Sequence, residues 1–248
     1  MAERAPCIVA VVPARGDSKG IPRKNLAPLA GKPLIAYTIN VAQQASVLDR
    51  VIVSTEDSEI ADVALQYGAE VPFLRPEALA KDDIPMLPVF RHAIRWLQDN
   101  EAYCPDAVVS LLPTSPLRSI VDINAAIETL LSSGCHAVRT VSVVDQHPYR
   151  MLHLKGDRVS KYVNHDDPRI SYLRQSLPVL YRWNGVVDAI RTDVVLNNDN
   201  FYGEDVRAVV VPKERSIDID DAVDLKIAEC FLKMKANHST FETETDGR

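Results

Sequence analysis

The sequence predicts an α/β fold, a mainly parallel sheet with helices on both faces. Short β-branched runs alternate with amphipathic stretches from Cys7 to about Val144, the rhythm of consecutive βα units. The first run, Cys7–Pro13, is apolar throughout rather than alternating, as in a strand covered on both faces. Cap residues stand where the helical stretches should begin. In such sheets ligands bind at the carboxyl ends of the strands.

The elements follow in order. After Cys7–Pro13, the stretch Pro33–Ser46 carries Leu34, Ile35, Ile39, Val41 and Ala42 on a helical face. Arg50–Thr55 is the next strand, and Asp57–Tyr67 the next helix, with Asp57 or Ser58 as N-cap and Gly68 just past its end. Glu70–Phe73 is a short strand. Leu87, Phe90, Ile94 and Leu97 recur at spacings of three and four, which predicts a helix with one apolar stripe. Ala107–Leu112 is a central strand. Ser119 with Asp122 opens a capped helix that turns Ile123, Ile127 and Leu130 inward. Ala137–Val144 is a strand.

From about 147 to 180 the rhythm breaks. His, Asp, Pro, Arg and Tyr cluster, with short alternating pieces at Met151–Leu154 and Arg158–Val163. This excursion is either a hairpin arm that meets substrate or a second subunit, or a plain surface loop. Val186–Ile190 and Val206–Val211 return to strand character, and Ala222–Lys235 closes the chain as a helix. At 248 residues the chain suits one α/β domain, read as 1–236. The polar end, 237–248, reads as a disordered tail.

Composition narrows the functions. The net charge of −6 disfavours nucleic acid as the main partner, since a phosphate-backbone binder needs a basic face. No apolar run approaches the roughly 20 residues that span a bilayer. The start, Met1–Pro6, lacks the basic and apolar regions of a signal peptide, so the expected compartment is the cytoplasm. The four cysteines, Cys7, Cys104, Cys135 and Cys230, form no CxxC pair, which argues against a zinc ribbon or thioredoxin-type site.

Three segments carry chemistry. The first strand runs into Ala14–Asn25, where Arg15, Lys19, Arg23 and Lys24 accompany Gly16 and Gly20. The glycines let backbone amides point into a concavity, and amides with cations replace the lost hydration of a polyphosphate. The loop is neither a Walker A motif nor GxGxxG, because Gly16 and Gly20 are four apart. The second segment is Ser216–Asp221. If it is extended, Asp218 and Asp220 project to one side and offer the hard oxygens that Mg²⁺ takes alongside phosphates; helix capping is the competing reading. The third, Leu111–Arg118, is a proline-fixed turn whose Thr114, Ser115 and Arg118 could face a ligand. Tyr181–Gly185, with Arg182 between aromatics, gives a weaker signal of the same kind.

Together these segments resemble the CMP-N-acylneuraminate (CMP-sialic acid) synthetases. The matching stretches are Pro13-Ala14-Arg15, Ser18–Pro22, Lys24-Asn25, Val51–Thr55, Arg75-Pro76, Pro113–Arg118, Asn184-Gly185 and Asp218–Asp220, in order across residues 8 to about 230. The related Kdo-activating enzymes open differently after Pro-Ala-Arg. The resemblance implies a Rossmann-like mixed sheet and a homodimer whose inserted arm reaches the partner subunit. It implies that CTP and a sugar acid give a CMP-conjugate and pyrophosphate. Arg15, Gly16, Ser18, Lys19, Lys24 and Asn25 would then hold CTP, with Arg75 near the cytosine. Asp218 and Asp220 would hold Mg²⁺, and Lys19, Arg15 and Asp220 would carry catalysis.

The acceptor half departs from the family. Where sialic-acid enzymes read Leu-Gln-Pro-Thr-Ser-Pro, this chain has Leu112 at the sugar-contacting glutamine. The polar stretch after Arg-Pro is replaced by Asp83–Leu87, mostly apolar. Leu112, Thr114, Ser115, Arg118, Arg174 and Arg182 are the candidate acceptor residues. The acceptor is therefore expected to be sialic acid, another nonulosonic acid or a small phosphonate. From another class stands a catalytically silent nucleotide-binding protein, against which Lys19, Asp218 and Asp220 argue.

Overall fold

The structure is a computed structural model that describes residues 4–163, 175 and 177–245, with side chains as far as residue 235. The strands are β1 (Ile8–Pro13), β2 (Pro28–Leu29), β3 (Lys32–Pro33), β4 (Arg50–Ser54), β5 (Ala107–Ser110), β6 (Ala137–Val143), β7 (Leu152–Lys155), β8 (Arg158–Lys161), β9 (Tyr181–Arg191) and β10 (Val206–Val210). The α-helices are α1 (Leu34–Gln43), α2 (Ser58–Gln66), α3 (Met86–Glu101), α4 (Ile120–Ser133), α5 (Thr192–Asn197) and α6 (Ala222–Thr245).

Six strands form the central sheet in the order β10-β6-β9-β5-β1-β4. β1 pairs in parallel with β4 and β5, and β10 with β6. β9 runs antiparallel between β5 and β6. The sheet is therefore mixed and mostly parallel, as expected. The antiparallel strand follows from connectivity: the chain leaves the sheet after β6 and returns from the same end, as in a hairpin.

Both faces are covered. Along β1 the side chains alternate. Ile8, Ala10 and Val12 pack with Ile35, Ile39, Ile60, Ile123 and Ile127 from α1, α2 and α4. Val9 and Val11 pack with Phe90, Ile94, Leu97, Val194 and Phe201 on the other face. This explains the unbroken apolar run: β1 has no solvent side. Helix starts follow their cap residues. The Asp57 carboxylate accepts from the Ile60 N–H at 3.0 Å. The Asp122 carboxylate accepts from both the Ser119 N–H and its hydroxyl.

Some expectations change. Glu70–Phe73 reduces to one parallel bridge from Glu70 to Ile52. The strand expected at Val186–Ile190 is eleven residues long, Tyr181–Arg191, because its polar first half pairs with β6 beyond a register shift at Arg139/Val141. The backbone of 237–245, read as a disordered tail, continues α6 to Thr245. No Gly or Pro lies between Ala222 and Asp246 to stop the helix. Within the excursion at 147–180, β7 and β8 form an antiparallel hairpin turning at Gly156. Among the described residues, no helix is long and apolar enough to cross a membrane.

Candidate functional site

A cavity of about 410 Å³ opens at the carboxyl ends of β1 and β5. Its walls include Arg15, Ser18, Lys19, Lys24, Asn25, Arg75, Leu112, Thr114 and Asp220. The loop after β1 thus meets Arg75 and the segment before α6 across one space, as the sequence suggests. A larger cavity, about 560 Å³, lies beside Asp106 and Arg191 at the amino end of β5, away from the loop.

The loop is fixed from beneath. The Asn25 amide donates to the Arg15 carbonyl at 2.8 Å. Lys24 Nζ donates to the Ile219 carbonyl at 2.8 Å and lies 3.5 Å from an Asp220 carboxylate oxygen. Gly20 lies so close to the Asp220 carbonyl that a Cβ would collide with that backbone, which accounts for glycine here. Gly16 departs from expectation. Its N–H donates to the Glu56 carboxylate at 2.7 Å, so this amide is engaged within the protein rather than free for a phosphate.

Glu56 has a second task. Arg75, only 5% exposed, donates through Nη2 to the other Glu56 oxygen at 2.6 Å. One carboxylate at the end of β4 therefore holds both the loop and Arg75. The Arg75 Nε–H is buried without an acceptor among the described residues. On the opposite lip Asp82 pairs with Arg15 and with Lys19 Nζ at 2.8 Å. These two cations hold the Asp82 carboxyl below the usual carboxylate range, Lys19 contributing most. Sequence reasoning missed Glu56 and Asp82. Glu56's position just past a parallel strand was a signal; Asp82, in a polar connection, had none.

Asp218 and Asp220 flank the buried Ile219, whose N–H donates to the Thr114 carbonyl at 2.8 Å. Asp218 is half-buried, and burial pushes its carboxyl up, with repulsion from Asp220 adding to the rise. The Thr114 hydroxyl hydrogen bond, Lys24 and Arg182 oppose it. Asp218 therefore carries its charge at a cost that burial sets and the neighbouring Asp220 increases. Among the described residues no group of three or more His, Cys, Asp or Glu is placed to hold a metal. Asp220 lines the cavity and Asp218, two residues before it, does not; a Mg²⁺ ion takes one or two carboxylates and completes its shell with phosphates and water, so these residues are compatible with one.

The acceptor residues divide. Leu112 and Thr114 line the cavity, together with Leu79, Ile84, Met86 and Val89; Leu87 instead joins the core. Arg118 does not reach the site. It is 5% exposed and donates to the carbonyls of Val186 and Leu112 and to the Thr38 hydroxyl. The proline turn folds it back under the sheet, where three acceptors replace its hydration. Ser115 is buried, its hydroxyl donating to the Gly185 carbonyl. Arg182 is exposed, donates to the Ser216 carbonyl at 3.2 Å and is not among the residues lining the cavity. Arg174 lies outside the described residues.

A cationic loop, a buried arginine and Asp220 around one cavity of a mixed α/β sheet fit a nucleotidyltransferase. The sequence profile of a family described as "Cytidylyltransferase" matches residues 9–225. The chain belongs to that family and is a CTP-dependent cytidylyltransferase. It is 35% identical over 230 residues to the CMP-N,N'-diacetyllegionaminic acid synthase of Legionella pneumophila, covering 92% of this chain and 97% of that one. It is 34% identical to the N-acylneuraminate cytidylyltransferase of Escherichia coli, covering 92% of this chain and 52% of that longer protein. Among solved structures, a CMP:2-keto-3-deoxy-manno-octonic acid synthetase complexed with CTP superposes with a TM-score of 0.70 at 16% identity, over 92% of this chain and 99% of that one.

Proposed function

We propose that the chain transfers CMP from CTP to a nonulosonic sugar acid and releases pyrophosphate, with Mg²⁺ held by Asp218 and Asp220. The observation that carries this reading is the convergence of Arg15, Lys19, Lys24, Arg75 and Asp220 on one cavity. The names of the relatives support a nonulosonic acceptor.

In this reaction an acceptor oxygen bonds to the α-phosphorus of CTP while the bond to the β-phosphate oxygen breaks. Negative charge grows on the departing pyrophosphate. Arg15 and Lys19 are placed to meet that charge, and positioned cations favour the transition state where the charge develops. Lys24, tied to the Ile219 carbonyl, is fixed between the loop and the paired carboxylates. Arg75 lines the same cavity and would meet the base there. Asp218 and Asp220 would hold Mg²⁺, which when bound would neutralise charge on phosphate oxygens.

The cavity also favours a less hydroxylated acceptor than sialic acid. Leu112, Ile84, Met86 and Val89 present it with apolar walls, and apolar walls leave a sugar's hydroxyls without partners. The test is a panel of acids with CTP and Mg²⁺: N-acetylneuraminate, legionaminic- and pseudaminic-type acids and a small phosphonate. Pyrophosphate release is read together with the mass of the CMP-conjugate. A deoxy nonulosonic acid should be the best substrate. Turnover of N-acetylneuraminate with kcat/KM above about 10⁴ M⁻¹s⁻¹, the range of ordinary good substrates, would overturn the altered-acceptor reading. Conjugate formation only with the phosphonate would overturn the sugar-acid assignment.

The β7–β8 hairpin supports a dimer. Leu154 faces Val159 across the ladder, Leu152 shares that face, and all three are exposed. An isolated two-stranded hairpin is marginal in water, so this apolar face calls for a cover, which a second subunit would supply.

A further inference from the structure

We propose that Asp82 is an internal competitor for the polyphosphate site, a carboxylate that occupies Arg15 and Lys19 until the triphosphate displaces it and that contests them again as pyrophosphate leaves. This rests on reading Arg15 and Lys19 as the groups that hold the β- and γ-phosphates.

Three observations carry it. Asp82 sits on the opposite lip of the cavity from the loop, and all three residues line the same space. Its two oxygens are divided between the two cations, one to Arg15 and one to Lys19. That is the bridging geometry a phosphate chain would adopt, with anionic oxygens shared between two donors. Lys19 is 81% exposed and Asp82 41% exposed, and an ion pair this open contributes little to folding. A stability role therefore explains its placement poorly, whereas a carboxylate among phosphate-holding cations has a direct effect on the ligand.

The two anions exclude each other. Arg15 and Lys19 cannot serve Asp82 and a phosphate chain together without bringing like charges into contact. Each polyphosphate that binds must first break both pairs, so its affinity is lowered by their strength. CMP lacks the β- and γ-phosphates and leaves the pairs intact. The expected signature is selective. Removing the Asp82 charge tightens CTP and pyrophosphate and leaves CMP unchanged. In turnover, pyrophosphate becomes a stronger product inhibitor.

The experiment is calorimetric titration of the full chain with pyrophosphate, CTP and CMP, without acceptor, in one Mg²⁺-containing buffer. Asp82→Asn and Asp82→Ala are compared with Lys19→Ala and the unchanged chain, each checked by thermal melting. Asp82→Asn should lower Kd for pyrophosphate and CTP by about fivefold or more, as two exposed ion pairs can impose, with CMP within twofold. Asp82→Ala keeps the test open if the asparagine forms new hydrogen bonds to the loop. Unchanged or weaker pyrophosphate binding in both Asp82 variants would overturn the proposal, and so would an equal gain for CMP. Lys19→Ala tests the underlying reading: loss of pyrophosphate affinity upholds it, and retention overturns it together with the competitor role.

Discussion

Asp218 and Arg118 were both expected at the site, and the structure gives them opposite tasks. Burial raises the Asp218 carboxyl above the usual carboxylate range. A raised pKa means this group favours folding at low pH, and the contribution is lost as pH rises through the folded-state value. At neutral pH the charged carboxylate therefore costs stability. Asp218→Asn should abolish or sharply lower Mg²⁺-dependent turnover while leaving Tm at pH 7 unchanged or higher; a lower Tm would refute this. In the unchanged enzyme the Mg²⁺ concentration for half-maximal rate should climb as pH falls towards the raised value, earlier than an exposed aspartate would give. Arg118→Ala should act the other way. It takes the donor from the buried Val186 carbonyl, at about 1–3 kcal/mol when left unpaired, while the Leu112 carbonyl keeps the Ser115 N–H and the Thr38 hydroxyl. Denaturant unfolding should show a loss of about 1–3 kcal/mol, while the surviving folded enzyme keeps its acceptor KM. The residue types in Leu111–Arg118 were legible as a rigid turn. The side-chain direction was not, because it is set by acceptors on β9 and α1, far away in sequence.

At the scale of elements, periodicity did most of the prediction. The Phe90, Ile94, Leu97 stripe became the buried face of α3, and the helix caps at Asp57 and Ser119 are where the residue types placed them. Phe90 is fully buried against Phe201, ring centroids 4.9 Å apart. Phe90→Ala should cost about 3–5 kcal/mol in denaturant unfolding, the range for an aromatic deleted from a core. A loss below about 1 kcal/mol would show that this side of the sheet is loosely packed. What periodicity could not reveal was α5, only six residues long, or the polar half of β9. There Arg139 lies between the Trp183 and Tyr202 rings, 4.0 and 3.8 Å from their centroids, and pairs with Asp188. Strand pairing is carried by cross-strand contacts that no single segment announces.

For the whole molecule, the proposed dimer would rest on the hairpin arm. Leu154, 73% exposed, is the residue whose environment a second subunit would change most. Leu154→Glu should convert a dimer to a monomer in light scattering, with Tm of the remaining fold nearly unchanged. A variant that stays dimeric would place the interface elsewhere. The cationic side of the cavity was legible because Arg15, Lys19, Lys24 and Asn25 come from one contiguous segment. The acceptor half was not, because its walls come from single residues such as Leu112, Met86 and Val89 on separate elements.

The placement of β9 has a consequence for how the chain is made. β9 lies between β5 and β6, although both precede it in sequence, and the other neighbour of β6 is the still later β10. A ribosome that has delivered residues 1–180 has produced β6 with no strand to pair with and β5 with one open edge. Open edges template non-native pairing, and long-range strand insertion is slow because its loops close before contacts reward them. The sheet therefore cannot be completed gradually from the amino end. A chain stopped at residue 180 should emerge as aggregate rather than as a smaller folded core, and complete chains should need their last quarter before the first half is secure.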